Sequence, residues 1–362
     1  MSAHPQRMDR LRYALRQDRL DALLVAHGAN VTYLSGFRGD SACLLVGADR
    51  TWLVTDGRYA EQAQAEAPRC ELVVHDDSLL AAAAGTCSQA GLKRVGFETT
   101  ALTVADHERF VAALDGAETV GRKDLVENLR AVKDEGEIEL IREAAAAADA
   151  AFRALRDRLA PGQSERQAAA RLDYEMRLHG ASKPAFDTIV AGRERASLPH
   201  AEATDAVLRP GDAVLIDWGA VRRLYCSDCT RMLFLGPPDD RWRAVYEAVR
   251  AAQEAAREVV RPGVALREVD AAARRSLDQA GHGEAFVHGL GHGVGLRVHE
   301  QPSLSRRAEG QLAEGMVVTL EPGVYLPGWG GVRIEDLVVV RADGAEVLSS
   351  LPKTLDTAIL CQ

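Results

Sequence analysis

The chain has 362 residues, of which 47% are hydrophobic and 27% charged, so it is long enough for two or three domains with a substantial core. This composition excludes a disordered or collagen-like protein. The 53 acidic residues outnumber the 44 basic ones, and the resulting net charge of −9 predicts neither nucleic acid nor an anionic membrane as a partner. No apolar run approaches membrane-spanning length, and no secretory signal is readable. Because the six cysteines are dispersed, we expect a cytoplasmic protein with reduced thiols.

The first third of the chain predicts a small α/β domain. An amphipathic helix at Met8–Asp18 leads into a short apolar strand at Ala22–Ala26. Alternating strands and helices follow, with strands at Cys43–Val46, Thr51–Val54, Glu71–Val74 and Arg94–Phe97 and helices at Tyr59–Glu66, Leu79–Ala90 and Thr103–Leu114. A polar segment then precedes a long helix predicted from about Glu135 to Leu159. We place the domain boundary in that segment, which divides the chain into residues 1–127 and 128–362.

The remainder of the chain contains a weak internal repeat. Pro161-Gly162 opens a helical segment that closes nineteen positions later at Gly180, and Pro262-Gly263 opens another that closes at Gly281 after the same interval. A phenylalanine follows each copy, Phe186 in the first and Phe286 in the second. Fourteen residues beyond Phe186 lies His200, and fourteen beyond Phe286 lies Glu300, which is next to His299. A duplicated α+β unit is expected to pack about a pseudo-twofold axis, with equivalent residues of both halves around one centre.

Each half of the repeat ends in two predicted strands that carry a pair of carboxylates. Asp217 ends an apolar strand, and Asp228 is predicted in the middle of the next one. Glu321 and Glu335 occupy similar places in the second half, with Arg333 beside the latter. Four carboxylates around one centre repel one another, and Arg333 neutralises one at most. Two divalent cations would neutralise all four, so the pattern predicts a two-metal site.

Histidines cluster in the second half of the repeat. Four of the ten in the chain fall between residues 282 and 299, and His288, His292 and His299 alternate with glycines that allow close backbone approach. A single imidazole among oxygen ligands suits Mn²⁺ or Zn²⁺. Each of these residues taken singly is also compatible with a turn or a packed core; the prediction rests on their combination.

Other motifs favour no competing chemistry. Cys226 and Cys229 form a single CxxC on a predicted strand, and we interpret both as packing residues. The glycines around His292 lack the context of a phosphate loop, and no G-x-S-x-G elbow predicts a serine nucleophile.

These motifs resemble the Xaa-Pro peptidases of metallopeptidase family M24, which have the pita-bread fold. The resemblance is carried by segments 186–200, 217–231, 288–302 and 321–336, and by 33–37 and 55–59 in the first domain. It implies an α+β fold class, with a C-terminal pita-bread (creatinase/aminopeptidase) domain of two pseudo-twofold halves after a smaller α/β creatinase-like N-terminal domain. It also implies two divalent metal ions per subunit, with Mn²⁺ expected and Co²⁺ or Zn²⁺ as alternatives, held by Asp217, Asp228, His292, Glu321 and Glu335.

The resemblance also assigns roles around the metals. Asp228 and Glu335 are implied to bridge the two ions, and Glu321 to carry the proton during catalysis. The remaining positions are assigned to catalysis and substrate binding: His299 to the oxyanion, His200 and His288 to the proline side of the substrate, and Arg333, with Tyr225 as a weaker candidate, to holding a bridging carboxylate.

Two specificities remain open. Aminopeptidases P cleave the Xaa-Pro bond of longer peptides, whereas prolidases cleave dipeptides and need a cation for the substrate carboxylate. Candidates for that cation are Arg38 in the N-terminal domain and Arg297, Arg306 and Arg307 in the catalytic domain. The short chain and compact first domain favour aminopeptidase P, with prolidase as the alternative. A non-catalytic binding protein of this fold and a two-metal phosphoesterase are the more distant alternatives, and a proline-containing peptide substrate and a homodimer are implied.

Overall fold

The computed structural model describes residues 4–360, and the chain divides into two compact units between Arg130 and Ala131. The boundary predicted between residues 127 and 128 falls inside helix α6 (Leu125–Ala131), close to this division. No helix among the residues described is both long enough and apolar enough to cross a bilayer.

A mixed six-stranded sheet organises the first unit. Its strands run in the order β4-β3-β2-β1-β5-β6, with β1–β2 and β2–β3 antiparallel and the other neighbours parallel. The strands are β1 (Ala22–Val25), β2 (Ala42–Gly47), β3 (Thr51–Asp56), β4 (Glu71–His75), β5 (Arg94–Glu98) and β6 (Glu118–Arg122). The helices before α6 are α1 (His4–Gln17), α2 (Gly28–Ser35), α3 (Ala60–Glu66), α4 (Leu79–Gln89) and α5 (Val104–Ala113).

Most of these elements agree with the predicted ones, but α2 and β6 were not predicted. Helix α2 contains Gly28, Asn30 and Thr32, which are poor helix formers, so its propensity is weak. The helix ends at Gly36, which adopts φ 85°, a left-handed conformation that glycine accepts without strain.

The first half of the second unit packs two helices against short antiparallel sheets. Helix α7 (Glu135–Arg156) begins with a capping box between Asp134 and Glu137 and ends three residues before the predicted Leu159. Helix α8 (Glu165–Leu178) begins with a capping box between Ser164 and Gln167. The strands are β7 (Lys183–Pro184), β8 (Ile189–Gly192), β9 (Ala213–Trp218), β10 (Ala220–Arg222), β11 (Tyr225–Cys226) and β12 (Cys229–Phe234), with sheet orders β12-β9-β8 and β11-β10-β7.

The second half repeats this plan. Helices α9 (Asp240–Val259) and α10 (Leu266–Gln279) pack on a five-stranded sheet in the order β14-β13-β15-β18-β19. The strands are β13 (Gly291–Gly293), β14 (Glu300–Leu304), β15 (Val317–Leu320), β16 (Gly323–Leu326), β17 (Gly330–Arg333), β18 (Asp336–Arg341) and β19 (Gly344–Val347), followed by α11 (Leu355–Ala358). The predicted α+β pita-bread architecture of duplicated halves is confirmed.

One local prediction about the strands is wrong. Asp228 does not lie in the middle of a strand, because Ser227 and Asp228 form a break between β11 and β12. The break releases the aspartate from the alternation of the sheet, and its side chain faces a cavity described below.

Candidate metal centre and active site

Four carboxylates from both halves of the second unit meet in one cavity. Asp217 lies on β9 and Asp228 just before β12, whereas Glu321 follows β15 and Glu335 precedes β18. Strands β9 and β12 form one antiparallel pair, and β15 and β18 form the corresponding pair of the other half. All four residues line a cavity of about 880 Å³.

The acidic oxygens lie close enough together to hold a metal ion. Asp217, Asp228 and Glu335 each bring a carboxylate oxygen within 4.8 Å of the others, and Asp228, His292 and His299 form a second such group. Within residues 4–360, Asp217 Oδ1 and Glu335 Oε1 are buried without a hydrogen-bond partner. Because a buried acceptor without a donor costs free energy, these oxygens fit the role of ligands to a cation. Oxygen ligands with one imidazole fit Mn²⁺, Co²⁺ or Zn²⁺.

Burial and mutual repulsion oppose ionisation of the two innermost carboxyls. Burial, followed by the charge of Glu335, raises the pKa of Asp228 well above its usual value. Burial, followed by the charges of Glu321 and Asp217, raises the pKa of Glu335 in the same way. Such a group of mutually destabilised carboxylates is characteristic of a functional site rather than of a structural ion pair.

His292 presents Nε2 to the carboxylates. Its Nδ1 lies 3.2 Å from the carbonyl oxygen of Gly293, and its Nε2 lies 3.3 Å from Glu321 Oε1 and 3.6 Å from Asp228 Oδ2. If Nδ1–H donates to Gly293, Nε2 is the nitrogen available as a ligand. The His299 ring stands edge-on to that of His292, with centroids 4.1 Å apart, so both imidazoles face the same part of the cavity.

Arg333 holds Asp217 directly. Its Nη2 donates to Asp217 Oδ2 at 2.6 Å, and its Nε donates to Thr230 Oγ1 at 3.0 Å. Arg333 was predicted to hold a bridging carboxylate, either Asp228 or Glu335. Arg333 reaches Glu335 through the hydroxyl of Thr230 and bonds directly to Asp217, so its predicted role stays a prediction.

Tyr325 is a site residue that sequence reasoning missed. Its hydroxyl accepts a hydrogen bond from Arg333 Nη1 at 2.8 Å and lies 2.9 Å from His288 Nε2. His288 Nδ1 lies 2.8 Å from the carbonyl oxygen of Gly289 and donates its proton to it. Nε2 is then free of a proton and accepts from the Tyr325 hydroxyl, which itself accepts from Arg333. Burial lowers the pKa of His288, in keeping with a neutral ring that accepts from Tyr325. The sequence signal that could have indicated Tyr325 is its position on β16, the short strand directly after Glu321.

The role suggested for Tyr225, holding a bridging carboxylate, stays a prediction. The tyrosine hydroxyl donates to Glu137 Oε1 in α7 at 2.8 Å and so contributes to helix packing. Cys226 and Cys229 are buried in apolar clusters, as the packing interpretation expects. Burial raises the pKa of Cys229 well above its usual value.

The histidines predicted to contact substrate, His200, His288 and His299, all line the cavity. Phe186, which follows the first copy of the repeat, also lines the cavity. The wall further includes residues that sequence reasoning did not single out, among them Arg166, Asp173, Thr188 and Ser303. Arg166 and Asp173 lie on α8, Thr188 lies between β7 and β8, and Ser303 lies on β14. Sequence pattern alone does not connect these elements.

The predicted cations for a substrate carboxylate lie in different surroundings. Arg38, in the first unit, donates from its backbone N–H and its Nε to Glu66 at 2.9 and 2.8 Å, and 57% of its side chain is exposed. Its role in substrate binding stays a prediction. Over the described part of the chain, Arg297, Arg306 and Arg307 do not line the cavity, whereas Arg166 does.

Two family models match this chain. The model described as Metallopeptidase family M24 matches residues 139–342, and the Creatinase/Prolidase N-terminal domain matches residues 7–132. The first match covers more than half of the chain, so the chain belongs to metallopeptidase family M24 and is a hydrolase of a family that uses divalent metal ions. The resemblance inferred from the motifs is confirmed.

Individual relatives extend over nearly the whole length. The Xaa-Pro dipeptidase of Pyrococcus furiosus is 37% identical over 356 residues, which are 97% of this chain and 99% of that protein. The solved structure of an Xaa-Pro dipeptidase from Bacillus anthracis has a TM-score of 0.95 at 38% identity, covering 99% of this chain and 100% of that one. An X-Pro aminopeptidase structure from Thermotoga maritima has a TM-score of 0.87 at 37% identity, covering 94% of this chain and 99% of that one. The chain is thus similar to proteins named for either specificity.

Proposed function

We propose that this protein is an Xaa-Pro dipeptidase, a prolidase that hydrolyses the bond before proline in dipeptides. The sequence favoured aminopeptidase P, with prolidase as the alternative. The relatives support the alternative, since the protein from Pyrococcus furiosus and the structure with a TM-score of 0.95 are both named Xaa-Pro dipeptidases. The observation that supports hydrolysis at this site is the pair of buried, donorless oxygens, Asp217 Oδ1 and Glu335 Oε1, facing the same cavity as His292.

The proposed ligands of two divalent cations are Asp217, Asp228, His292, Glu321 and Glu335. Divalent cations held in such a set activate water for attack and polarise the peptide carbonyl. Because oxygen ligands predominate, we propose Mn²⁺ first, with Co²⁺ or Zn²⁺ as alternatives.

Glu321 is the proposed proton carrier. The hydroxyl of Thr319 donates to Glu321 Oε1 at 3.2 Å, and His292 Nε2 lies 3.3 Å from the same oxygen. These contacts fix the carboxylate at the cavity wall. In the proposed reaction Glu321 accepts a proton from the attacking water and transfers it to the proline nitrogen as the peptide bond breaks.

The three histidines of the cavity wall are proposed to act on the substrate. His299 donates a hydrogen bond to the carbonyl oxygen, on which negative charge develops. His200 and His288 flank the proline ring. The amide before proline has no N–H, and the ring fixes φ, so a shaped pocket rather than backbone pairing must orient this substrate.

The carboxylate of a dipeptide lies one residue beyond the bond that is cut and therefore needs a cation. Arg38 is the candidate proposed from the sequence. Arg166 is the alternative that the cavity offers, because it lines the wall, is exposed and bonds through Nε to Asp205 at 2.9 Å.

The test compares hydrolysis of Ala-Pro and Ala-Pro-Ala by the full chain with Mn²⁺ and with EDTA. We expect faster cleavage of Ala-Pro, loss of activity with EDTA and loss in Glu321→Gln. The exposed Glu314, seven residues earlier, provides the matched control Glu314→Gln, which should stay active. Cleavage of the tripeptide alone would establish aminopeptidase P instead. No cleavage of either peptide by metal-loaded protein would overturn the proposal and favour a phosphoesterase or a binding protein.

Arg38→Ala and Arg166→Ala extend this test to specificity. If one of these arginines binds the dipeptide carboxylate, its substitution should raise KM for Ala-Pro and leave KM for Ala-Pro-Ala unchanged. Substitution of the other arginine should change neither value. The implied homodimer is tested by light scattering during size-exclusion chromatography, and a cytoplasmic location remains an expectation from the sequence.

A further inference from the structure

Glu165, the first residue of α8, is a buried carboxylate outside the proposed ligand set. Only 1% of the residue is exposed, although it begins a helix whose next two residues are exposed. An acidic residue in the first turn favours a helix through the dipole, but this effect does not require burial. Its contacts therefore suggest another role.

The carboxylate gathers donors from the segment of residues 193–204, here called the His200 segment, and from Gly192 just before it. Glu165 Oε1 accepts from Gly192 N at 2.9 Å, and both carboxylate oxygens accept from Arg195 Nε at 3.1 and 3.0 Å. Oε2 also accepts from Thr204, from the backbone N–H at 3.0 Å and from the hydroxyl at 2.7 Å. One side chain thus holds the beginning and the end of the segment.

The His200 segment forms part of the cavity wall. Residues 199–203 line the cavity, and the carbonyl oxygen of Pro199 accepts a hydrogen bond from Arg333 Nη1 at 3.1 Å. Apart from a short 3₁₀ turn at Arg193–Ser197, the segment has no regular structure. Within the segment Arg195 Nη2 donates to the carbonyl oxygen of Glu202 at 2.6 Å, and Ala196 and Ala201 pack in the core. Glu165 adds the contacts that tie its two ends to α8, and Arg333 holds it near His200.

We propose that Glu165 is a positioning residue, which holds the His200 segment and thereby places His200 in the substrate cavity. A buried charge is tolerated where its hydrogen bonds are made, so displacement of the segment would leave the carboxylate without donors. This inference rests on the proposed function, in which His200 contacts the proline side of the substrate.

The same helix provides a matched control. Glu175 is also buried, with 4% exposed, and it forms ion pairs with Arg158 at 3.3 Å and with Arg171 one turn away. Neither partner belongs to the His200 segment. Glu175→Gln therefore measures the effect of neutralising a buried glutamate of α8. Any larger effect of Glu165→Gln is attributed to the His200 segment.

Limited trypsin digestion tests the positioning independently of activity. The His200 segment contains Arg193 and Arg195, so trypsin can cut within it once it is released. We expect cleavage there, identified by mass spectrometry, to be about tenfold faster in Glu165→Gln than in wild type and unchanged in Glu175→Gln. Equal rates in the two variants would overturn the proposal, and Glu165→Asp, which retains the charge, should give an intermediate rate.

Kinetics with Ala-Pro test whether Glu165 acts through His200. We expect kcat/KM to fall about tenfold in Glu165→Gln and much less in Glu175→Gln. In a His200→Ala background, Glu165→Gln should cause little further loss, since the residue it positions is already removed. Full additivity would contradict the inference. If wild type cuts no Xaa-Pro peptide, the proposed function fails, while the trypsin comparison still decides whether Glu165 holds the segment.

Discussion

Thr230 joins Arg333 to Glu335 with one hydroxyl group. Its Oγ1 accepts a hydrogen bond from Arg333 Nε at 3.0 Å and donates one to Glu335 Oε2 at 2.7 Å. Thr230 lies on β12, opposite Asp217 on the neighbouring strand β9. Arg333 also donates a hydrogen bond to Asp217. The side chain thus connects carboxylates that belong to different halves of the fold.

Thr230→Val should weaken metal binding while keeping the side-chain shape. The substitution removes both hydrogen bonds and leaves buried polar groups unsatisfied, at an expected cost of about 1–3 kcal/mol. Calorimetric titration with Mn²⁺ should show about tenfold weaker binding. Thr55→Val is the control, because Thr55 is also buried but donates to Ser41 in the first unit; equal losses of Mn²⁺ affinity in both variants would refute the connection.

Tyr325→Phe should reduce activity by about tenfold, because the tyrosine hydroxyl lies between Arg333 and His288. The effect is expected mainly in KM for Ala-Pro, since His288 is proposed to flank the proline ring. Tyr246→Phe removes another buried tyrosine hydroxyl, which donates to the Lys353 carbonyl at 3.1 Å. A parallel change of KM in both variants would show that the Tyr325 contact has no specific role.

The features that depend on local pattern could be predicted from the sequence. Most helices and strands of the first unit follow from hydrophobic periodicity, and the duplicated halves follow from the two Pro-Gly segments. The clustering of Asp217, Asp228, Glu321 and Glu335 was expected because the repeat places equivalent strand ends together. The structure brings these residues to one cavity, whereas their assignment as ligands remains a proposal.

The features that depend on distant contacts could not be predicted in this way. Tyr225 and Tyr325 are the same residue type near candidate carboxylates, and strand pairing decides that Tyr325 contacts Arg333. Glu165 reads in the sequence as an ordinary first-turn glutamate, yet its partner Thr204 lies 39 positions away. Asp228 was placed within a strand because a break of two residues leaves the alternating pattern almost unchanged.

Addition of Mn²⁺ to EDTA-treated protein should raise its melting temperature. Cations bound to the native state alone stabilise it by about 2.7 kcal/mol at a concentration one hundred times Kd. Asp228→Asn and Glu335→Gln should abolish most of this increase, because each removes a proposed metal ligand. Asp149→Asn alters a buried carboxylate that bonds to Ser350 instead, and it should retain the increase; an increase unchanged in all three variants would exclude the proposed ligand set.

Glu98 should make the stability of the first unit depend on pH. The carboxylate is 4% exposed and accepts hydrogen bonds from Ala26 N and His27 N, both at 2.8 Å, and from Asn30 Nδ2 at 2.6 Å. Burial nevertheless raises its pKa from 4.5 to about 7, and the charge of Glu127 acts in the same direction. Arg130 is also near this cluster and donates to Asn30 Oδ1 at 2.7 Å, and His27, whose backbone N–H binds Glu98, carries a titratable imidazole.

The direction of this dependence follows from proton binding. Between about pH 4.5 and pH 7 the folded state holds a proton on Glu98 that the unfolded state has lost, so stability decreases as pH rises through this range. The shift sets an upper limit of about 3 kcal/mol. Hydrogen exchange of the β1 and β5 amides at pH 5 and pH 7.5, corrected for intrinsic rates, should show this loss in wild type. Glu98→Gln does not titrate and should show it much less, whereas the exposed control Glu118→Gln should behave like wild type; an equal pH dependence in both variants would assign the effect to another group.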